Sequence, residues 1–351
     1  MTELSPRLRC LPITLPARMD EPAFSVLSRN AAVNASRTIA EFCTAMGLQK
    51  PAICAGDPAQ ITSLAGLIGA DAGALIHASP QRESAKLTVL RGQPLLTRSI
   101  RKSDLAICPV CWLETAGNGS DAFPPLKWQW LPRFLTTCQT HGVALVEVPY
   151  ADHTTCYDHI LRLQLEPRWL YGLEDMIVQR KVSTFDAAAQ AQLSGDGPMI
   201  PWLPEVQIDI LKRWCLGLGG FMAGGMIRPD AAAEAQKRDY VDLGFAVTLA
   251  GKGRILDEVD AALGRHSMRL AKSWIHSWAL QAIAAQERAP FRDIMLYLIG
   301  NQIHYGLAHR VRYASPDAQV EACIERLARR NDRSKKWVRK VLRQASMLKC
   351  S

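Results

Sequence analysis

Ile107-Cys108-Pro109-Val110-Cys111-Trp112 and Thr137-Cys138-Gln139-Thr140-His141-Gly142 are the two stretches whose reading decides the fold. Their spacing is C-x2-C, then 26 residues, then C-x2-H. Each short pair can form a tight turn that points two ligands at one ion. Three thiolates and one imidazole complete a tetrahedron around Zn2+, and no position is left open for water. Such a site holds a small domain together and does not activate a nucleophile. Cys108, Cys111, Cys138 and His141 are therefore the candidate metal ligands, zinc is the expected cofactor, and the chain reads as an interaction module rather than an enzyme.

The rest of the chain sets the context. Its 351 residues are enough for two or three domains with sizeable cores. No charged-then-apolar start reads as a signal peptide, and Pro6, Pro12 and Pro16 break any N-terminal amphipathic helix. The longest apolar stretch, Leu216 to Ile227, is glycine-rich and too short to span a bilayer. The expectation is a soluble, cytoplasmic protein without a membrane segment. Ten cysteines are present, and the seven outside the ligand pairs form no framework. That reads as reduced usage, with small buried apolar thiols.

The net charge of +9 is concentrated in residues 325–349, where ten bases and two acids leave +8. This points to a nucleic-acid backbone, DNA or RNA, or to an acidic partner surface. The other reading is a solvated helix face. The candidate contact residues are Arg329, Arg330, Arg333, Lys335, Lys336, Arg339, Lys340 and Arg343.

Pattern predicts a mainly α fold. A first helix follows Glu21, with Phe24, Val26, Leu27 and Ala31 on one face. A second runs from Ser36, as N-cap, to Gly47. Asp57-Pro58 opens a third helix that ends at Gly69, and Ala70-Asp71-Ala72 turns into a fourth that carries Leu75 and Ile76. Helix, glycine turn, helix is the outline of a helix-turn-helix. Its second helix has few side chains for base edges, so a packing hairpin or protein-docking surface is the competing reading. Gly142 to Pro149 reads as a strand and Ala187 to Pro201 as a linker. Pro204 to Leu218 reads as a helix ending in glycines. His153, Cys156 and His159 form a weak second metal candidate that lacks a fourth ligand. Gly217-Leu-Gly-Gly220 and Gly251-Lys-Gly253 do not match a phosphate loop.

Helices are expected onward from Ile255, with stripes through Ile255, Val259 and Leu263, through Trp274 and Trp278, and through Ile294, Leu298 and Tyr305. The last starts at Asp332 or Ser334. His304 and His309 read as packing or surface residues. The expected organisation is an N-terminal helical domain with a helix-turn-helix over 1–100 and a zinc-ribbon-like module over 101–150. A connecting segment over 151–202 and a C-terminal helical domain with a basic tail over 203–351 complete it.

H-E-x-x-H, G-x-S-x-G and Walker motifs are absent from the sequence. Three other stretches together resemble one family, the TniQ proteins of bacterial transposons. Asp20 to Arg29 looks like the family's opening helix. Leu90-Arg-Gly-Gln-Pro, then Arg98 to Cys111, looks like its lead into the first ligand pair. Trp130 to Leu145 looks like its second. The likeness covers about residues 18–150, and Gln139 stands where the family often has Pro.

The resemblance implies a non-catalytic adaptor for transposon target-site selection. It would bridge a target-recognition component, in some systems an RNA-guided CRISPR effector with its guide RNA, to an AAA+ ATPase regulator and the transposase. In some systems the adaptor is a homodimer. The alternative is a sequence-specific DNA-binding transcriptional regulator with the same zinc site. A zinc-dependent hydrolase fits worst, because a catalytic zinc keeps an open position.

Overall fold

The computed structural model describes residues 11, 13–117, 123–149, 155–224, 232–265, 291 and 336. The chain divides into two compact units, Met1–Gly197 and Pro198–Ser351, and the described residues of each are mainly helical.

The first unit is organised by α1 (Ala23–Val33), whose residues Ala23 to Ala31 are all buried. Its apolar face joins α2 (Ile39–Met46), α3 (Lys50–Cys54), α4 (Pro58–Ile68) and α5 (Ala72–Ala78) in one core. Ile39, Phe42, Ile53, Ile61, Leu64 and Leu75 fill that core. The other face of α1 is polar, buried and fully bonded. Ser25 Oγ donates to Glu21 at 2.7 Å and accepts from the Leu126 N–H at 2.9 Å. Ser28 Oγ donates to Asp158 at 2.6 Å. Arg29 donates to Glu21 at 2.7 Å and to the Phe123 carbonyl at 2.6 Å. Asn30 bonds both backbone groups of Leu15, at 2.9 and 3.3 Å. A polar group out of water needs such partners, so α1 selects the segments that surround it.

Local chemistry sets the helix ends. Asp57 caps α4 through the Gln60 N–H, Asp71 caps α5 through the Gly73 N–H, and Gly69 closes α4 in the left-handed region. The two helices predicted from Asp57 and Asp71 are thus both present, joined through Gly69 to Asp71. The second predicted helix starts later than Ser36: Thr38 is its N-cap and accepts from the Glu41 N–H, while Gly47 ends it as expected.

A three-stranded antiparallel sheet follows: β1 (Gln81–Arg82), β2 (Leu87–Leu90) and β3 (Gln93–Leu96). Arg91 and Gly92, both at positive φ, make the two-residue turn between β2 and β3. Next come β4 (Ala106–Ile107), α6 (Pro109–Gly117), β5 (Thr137–Cys138), β6 (Val143–Ala144) and β7 (Val146–Glu147). The single strand expected over Gly142 to Pro149 is two, because β6 pairs with β5 and β7 pairs with β4. Leu145 marks the change of partner, with its N–H bonded to the Thr136 carbonyl.

Helices α7 (His159–Leu165), α8 (Pro167–Tyr171) and α9 (Thr184–Ser194) complete the unit. The α9 helix replaces most of the expected linker. Ser183 caps it, four alanines favour it and Gly195 ends it in the left-handed region.

The second unit holds α10 (Ile208–Gly224), α11 (Glu234–Leu249) and α12 (Lys252–Arg265) among its described residues. The α10 helix starts after the predicted Pro204 and continues through the glycines expected to end it. Those glycines are where α11 crosses. A Cβ on Gly219 would run into the Tyr240 carbonyl, and one on Gly244 into the Cys215 carbonyl. Backbone contact replaces side-chain packing, so Gly217 to Gly220 is a helix crossing. Thr248 pins it, accepting from Trp214 Nε1 at 2.9 Å and donating to the Gly244 carbonyl at 2.7 Å. Trp214 stacks on Phe291 with centroids 4.1 Å apart. The Ile255–Val259 stripe is buried. No helix among the described residues is long and apolar enough to cross a membrane. The stripes through Trp274 and Trp278 and through Ile294, Leu298 and Tyr305, together with His304 and His309, lie outside the described residues.

Candidate metal centre

The four predicted ligands come together from two local structures. Cys108 ends the step out of β4, and Cys111 sits in the first turn of α6, so the first pair opens a helix rather than turning a hairpin. The Cys111 N–H points at Cys108 Sγ, 3.4 Å away. Cys138 ends β5 and His141 lies in the turn to β6. There Gly142, at φ 61°, donates its N–H to the Cys138 carbonyl at 2.9 Å. The hairpin edge is covered by residues 178–180, which bond Gly142 O and the Ala144 N–H.

One ligand atom from each residue lies within 4.8 Å of all the others. Nδ1 of His141 faces the sulfurs, 3.5 Å from Cys108, 3.3 Å from Cys111 and 3.8 Å from Cys138. Cys111 and Cys138 sulfurs are 3.9 Å apart. Bond lengths usual for zinc, set tetrahedrally, require about 3.8 Å between sulfurs and about 3.5 Å from sulfur to nitrogen. The donor set therefore fits a closed tetrahedral ion with a preference for zinc-like metals. When bound, the ion would cross-link β4–α6 to the β5–β6 hairpin. The three cysteines are buried, and only 17% of the His141 side chain is exposed.

The surroundings suit such an ion. The Cys108 and Cys111 thiols, then the backbone N–H groups of His141 and Thr140, hold Cys138 as thiolate, far below the usual thiol range. Cys108 is pushed up, chiefly because its proton is shared with Cys111 and Cys138. Three thiols so close together oppose one another's ionisation, which a cation between them would relieve.

Two neighbours were not legible as site residues from spacing alone. Glu114, one turn along α6, accepts from His141 Nε2 at 3.2 Å and so fixes the tautomer that turns Nδ1 inward. Lys127 Nζ lies 3.4 Å from Cys111 Sγ and 5.6 Å from the Trp130 ring centre. Its charge would offset the single negative charge that three thiolates leave on a bound divalent ion. The signal for Glu114 was an acid three residues after a ligand in a helix, but such acids are common.

The loop between the pairs is clamped by Asp20, which accepts from Trp128 Nε1 at 3.0 Å and from Gln129 at 3.1 Å. Arg91 stacks its guanidinium on Trp128 at 4.6 Å. Gln139 donates to the Asp186 carbonyl at 3.0 Å, a bond that a proline there could not make.

Other candidates fare differently. His153 lies outside the described residues, and Cys156 and His159 do not form a metal group with other donors among the described residues. His159 is fully buried, and its Nε2 donates to the Pro124 carbonyl at 3.2 Å. Burial lowers its pKa to about 3, so it stays neutral as a packing residue. Of the basic-tail candidates, Lys336 is helical and exposed. Arg329, Arg330, Arg333, Lys335, Arg339, Lys340 and Arg343 lie outside the described residues.

Fold and site together define a class: a small helical domain whose ligand-bearing turns are joined through a Cys3His cluster. Residues 12–145 match the model of the TniQ family. No curated protein and no solved structure matches the chain.

Proposed function

We propose that the protein is a non-catalytic adaptor for transposon target-site selection, built on a zinc-stabilised TniQ domain. It would bridge a target-DNA recognition complex, an RNA-guided CRISPR effector or another selector, to an AAA+ regulator and the transposase. The observation that carries this reading is the TniQ match spanning all four members of a saturating Cys3His donor set. A tetrahedron filled by protein leaves the ion no position for substrate or water. The α4–α5 pair supports docking to protein: its exposed positions carry Pro58, Thr62, Ser63, Gly73 and His77, and α5 has no Arg, Lys, Asn or Gln. That composition counts against the sequence-specific regulator, which needs such side chains at base edges. In this reading the basic tail contacts nucleic-acid backbone.

The test is co-purification of the tagged chain with the products of neighbouring genes, with zinc quantified in the same eluate. One zinc per chain and retention of an ATPase or guide-RNA complex are expected, and Cys111→Ser should lose both. Tight binding to one defined duplex without any protein partner would replace the adaptor with the regulator.

A further inference from the structure

A cavity of about 310 Å³ opens in the first unit between α3, strands β1 and β2, the loop at Ile100–Lys102 and Cys156–Tyr157. Its lining carries three cations, Lys50, Arg82 and Lys102, and no carboxylate. Pro51, Pro80 and Ile100 give it apolar walls.

Backbone bonds and close packing fix the frame. The Arg82 N–H donates to the Ala55 carbonyl at 2.8 Å, tying β1 to the end of α3. Gly56, at φ 81°, lies so close beneath Pro80 that a Cβ would strike the Pro80 carbonyl. Arg162 holds the loop by donating to the carbonyls of Ser103 at 2.8 Å and Lys102 at 3.2 Å. Tyr157 sits at φ 65°, a backbone state that side chains other than glycine enter at a cost, with its ring 4.9 Å from Phe24. Such strain collects at ligand sites.

Electrostatics point to an anion. Partial burial and then the nearby Arg82 charge lower the Lys102 pKa, which is what like charges do when they share a pocket. Asp104, which acts on Tyr157, and Asp158, which acts on Cys54, are each held by other donors. Asp104 accepts from Arg133 at 2.8 Å and from the Lys102 N–H at 3.2 Å. Asp158 accepts from Ser28, Ile39 and Leu161. A phosphate would relieve the repulsion and use several donors at once. The volume lies at the lower end of the range for small-ligand sites, about 300–1,000 Å³, with the usual mix of apolar wall and few polar groups. It is too small for a partner's helix.

We propose that this cavity binds one nucleotide, its phosphate on Lys50, Arg82 and Lys102 and its base against Pro51, Pro80 and Ile100. The nucleotide is either free or the phosphorylated end of a strand. The proposal does not depend on the adaptor reading or on the metal.

The experiment titrates the full-length protein calorimetrically with AMP, with adenosine, and with a trinucleotide bearing a 5′-phosphate or a 5′-hydroxyl. Binding that requires the phosphate is expected. Lys102→Glu should weaken it about tenfold or more, with Arg82→Ala as a second variant if the first misfolds. Lys86→Glu, on the exposed turn before β2, should leave it unchanged. AMP binding would identify a free nucleotide as occupant, whereas binding of the phosphorylated trinucleotide alone would identify a strand end. Equal affinity for AMP and adenosine, equal affinity in the two pocket variants and the native protein, or no binding at millimolar concentration would overturn the proposal.

Discussion

At the scale of single residues, the ligand set and what orients it differ in how they can be read. Cys108, Cys111, Cys138 and His141 announce themselves by spacing, because two ligands with two residues between them can reach one ion from a single turn of chain. Glu114 and Lys127 become visible only once α6 and the loop to Trp128 are in place. Glu114→Gln removes the carboxylate that holds His141 and should weaken metal binding by about tenfold, the low end of the usual range because the group is half exposed. Competition with a chelator measures it, and unchanged affinity would remove Glu114 from the site.

His159 makes a separate prediction. Its folded pKa, about 3, lies below the ordinary 6.5, so the unfolded chain takes up the proton first. Stability is therefore full above the ordinary value and falls as pH drops below it, by at most about 1.4 kcal/mol per pH unit. Urea unfolding of the zinc-loaded protein at pH 7 and at pH 5.5 should show that loss, and His159→Gln should show less of it. Equal slopes would mean that His159 accepts a proton in the folded state.

Among elements, those with local signals were legible. Asp57, Gly69 and Asp71 define α4 and α5 without help from the rest of the chain. The polar face of α1 was not, because its partners Phe123, Leu126 and Asp158 lie 94, 101 and 130 residues away. Serines, an arginine and an asparagine in a helix read as solvent-facing until those partners arrive. The α10 helix was misread for the opposite reason: glycine is a poor helix former by propensity, yet here it is what allows α11 to approach. Gly219→Ala should cost about 3 kcal/mol, the upper part of the range for overpacked cores, because the obstacle is the Tyr240 backbone and not a movable side chain. Thermal melting checks this, and a wild-type melting temperature would show that the two helices can separate cheaply.

On the scale of the whole chain, the family match and the folding unit are different lengths. The match ends at residue 145, whereas the first unit runs to Gly197. Beyond the match, Asp158 accepts from Ser28 of α1, the first N–H of α2 and the third of α7, so one buried carboxylate ties three helices. His159 bonds Pro124, and Ile160 and Leu163 are buried. A fragment of residues 1–145 loses all of these. Each buried polar group left unpaired costs about 1–3 kcal/mol, against a net stability of about 5–15 kcal/mol for a typical domain. The fragment is expected to melt without cooperativity or to aggregate, while residues 1–197 fold and hold zinc. Circular dichroism melts of the two fragments decide it, and a cooperative transition in the shorter one would show that α7 is dispensable.

That carboxylate also bears on how such genes can be recombined. A crossover between two relatives at the end of the family match would separate Asp158 from the serine and the helix end that it bonds. One between Gly195 and Pro198 would keep every one of those bonds in a single inheritance, so viable chimaeras should concentrate their joins there.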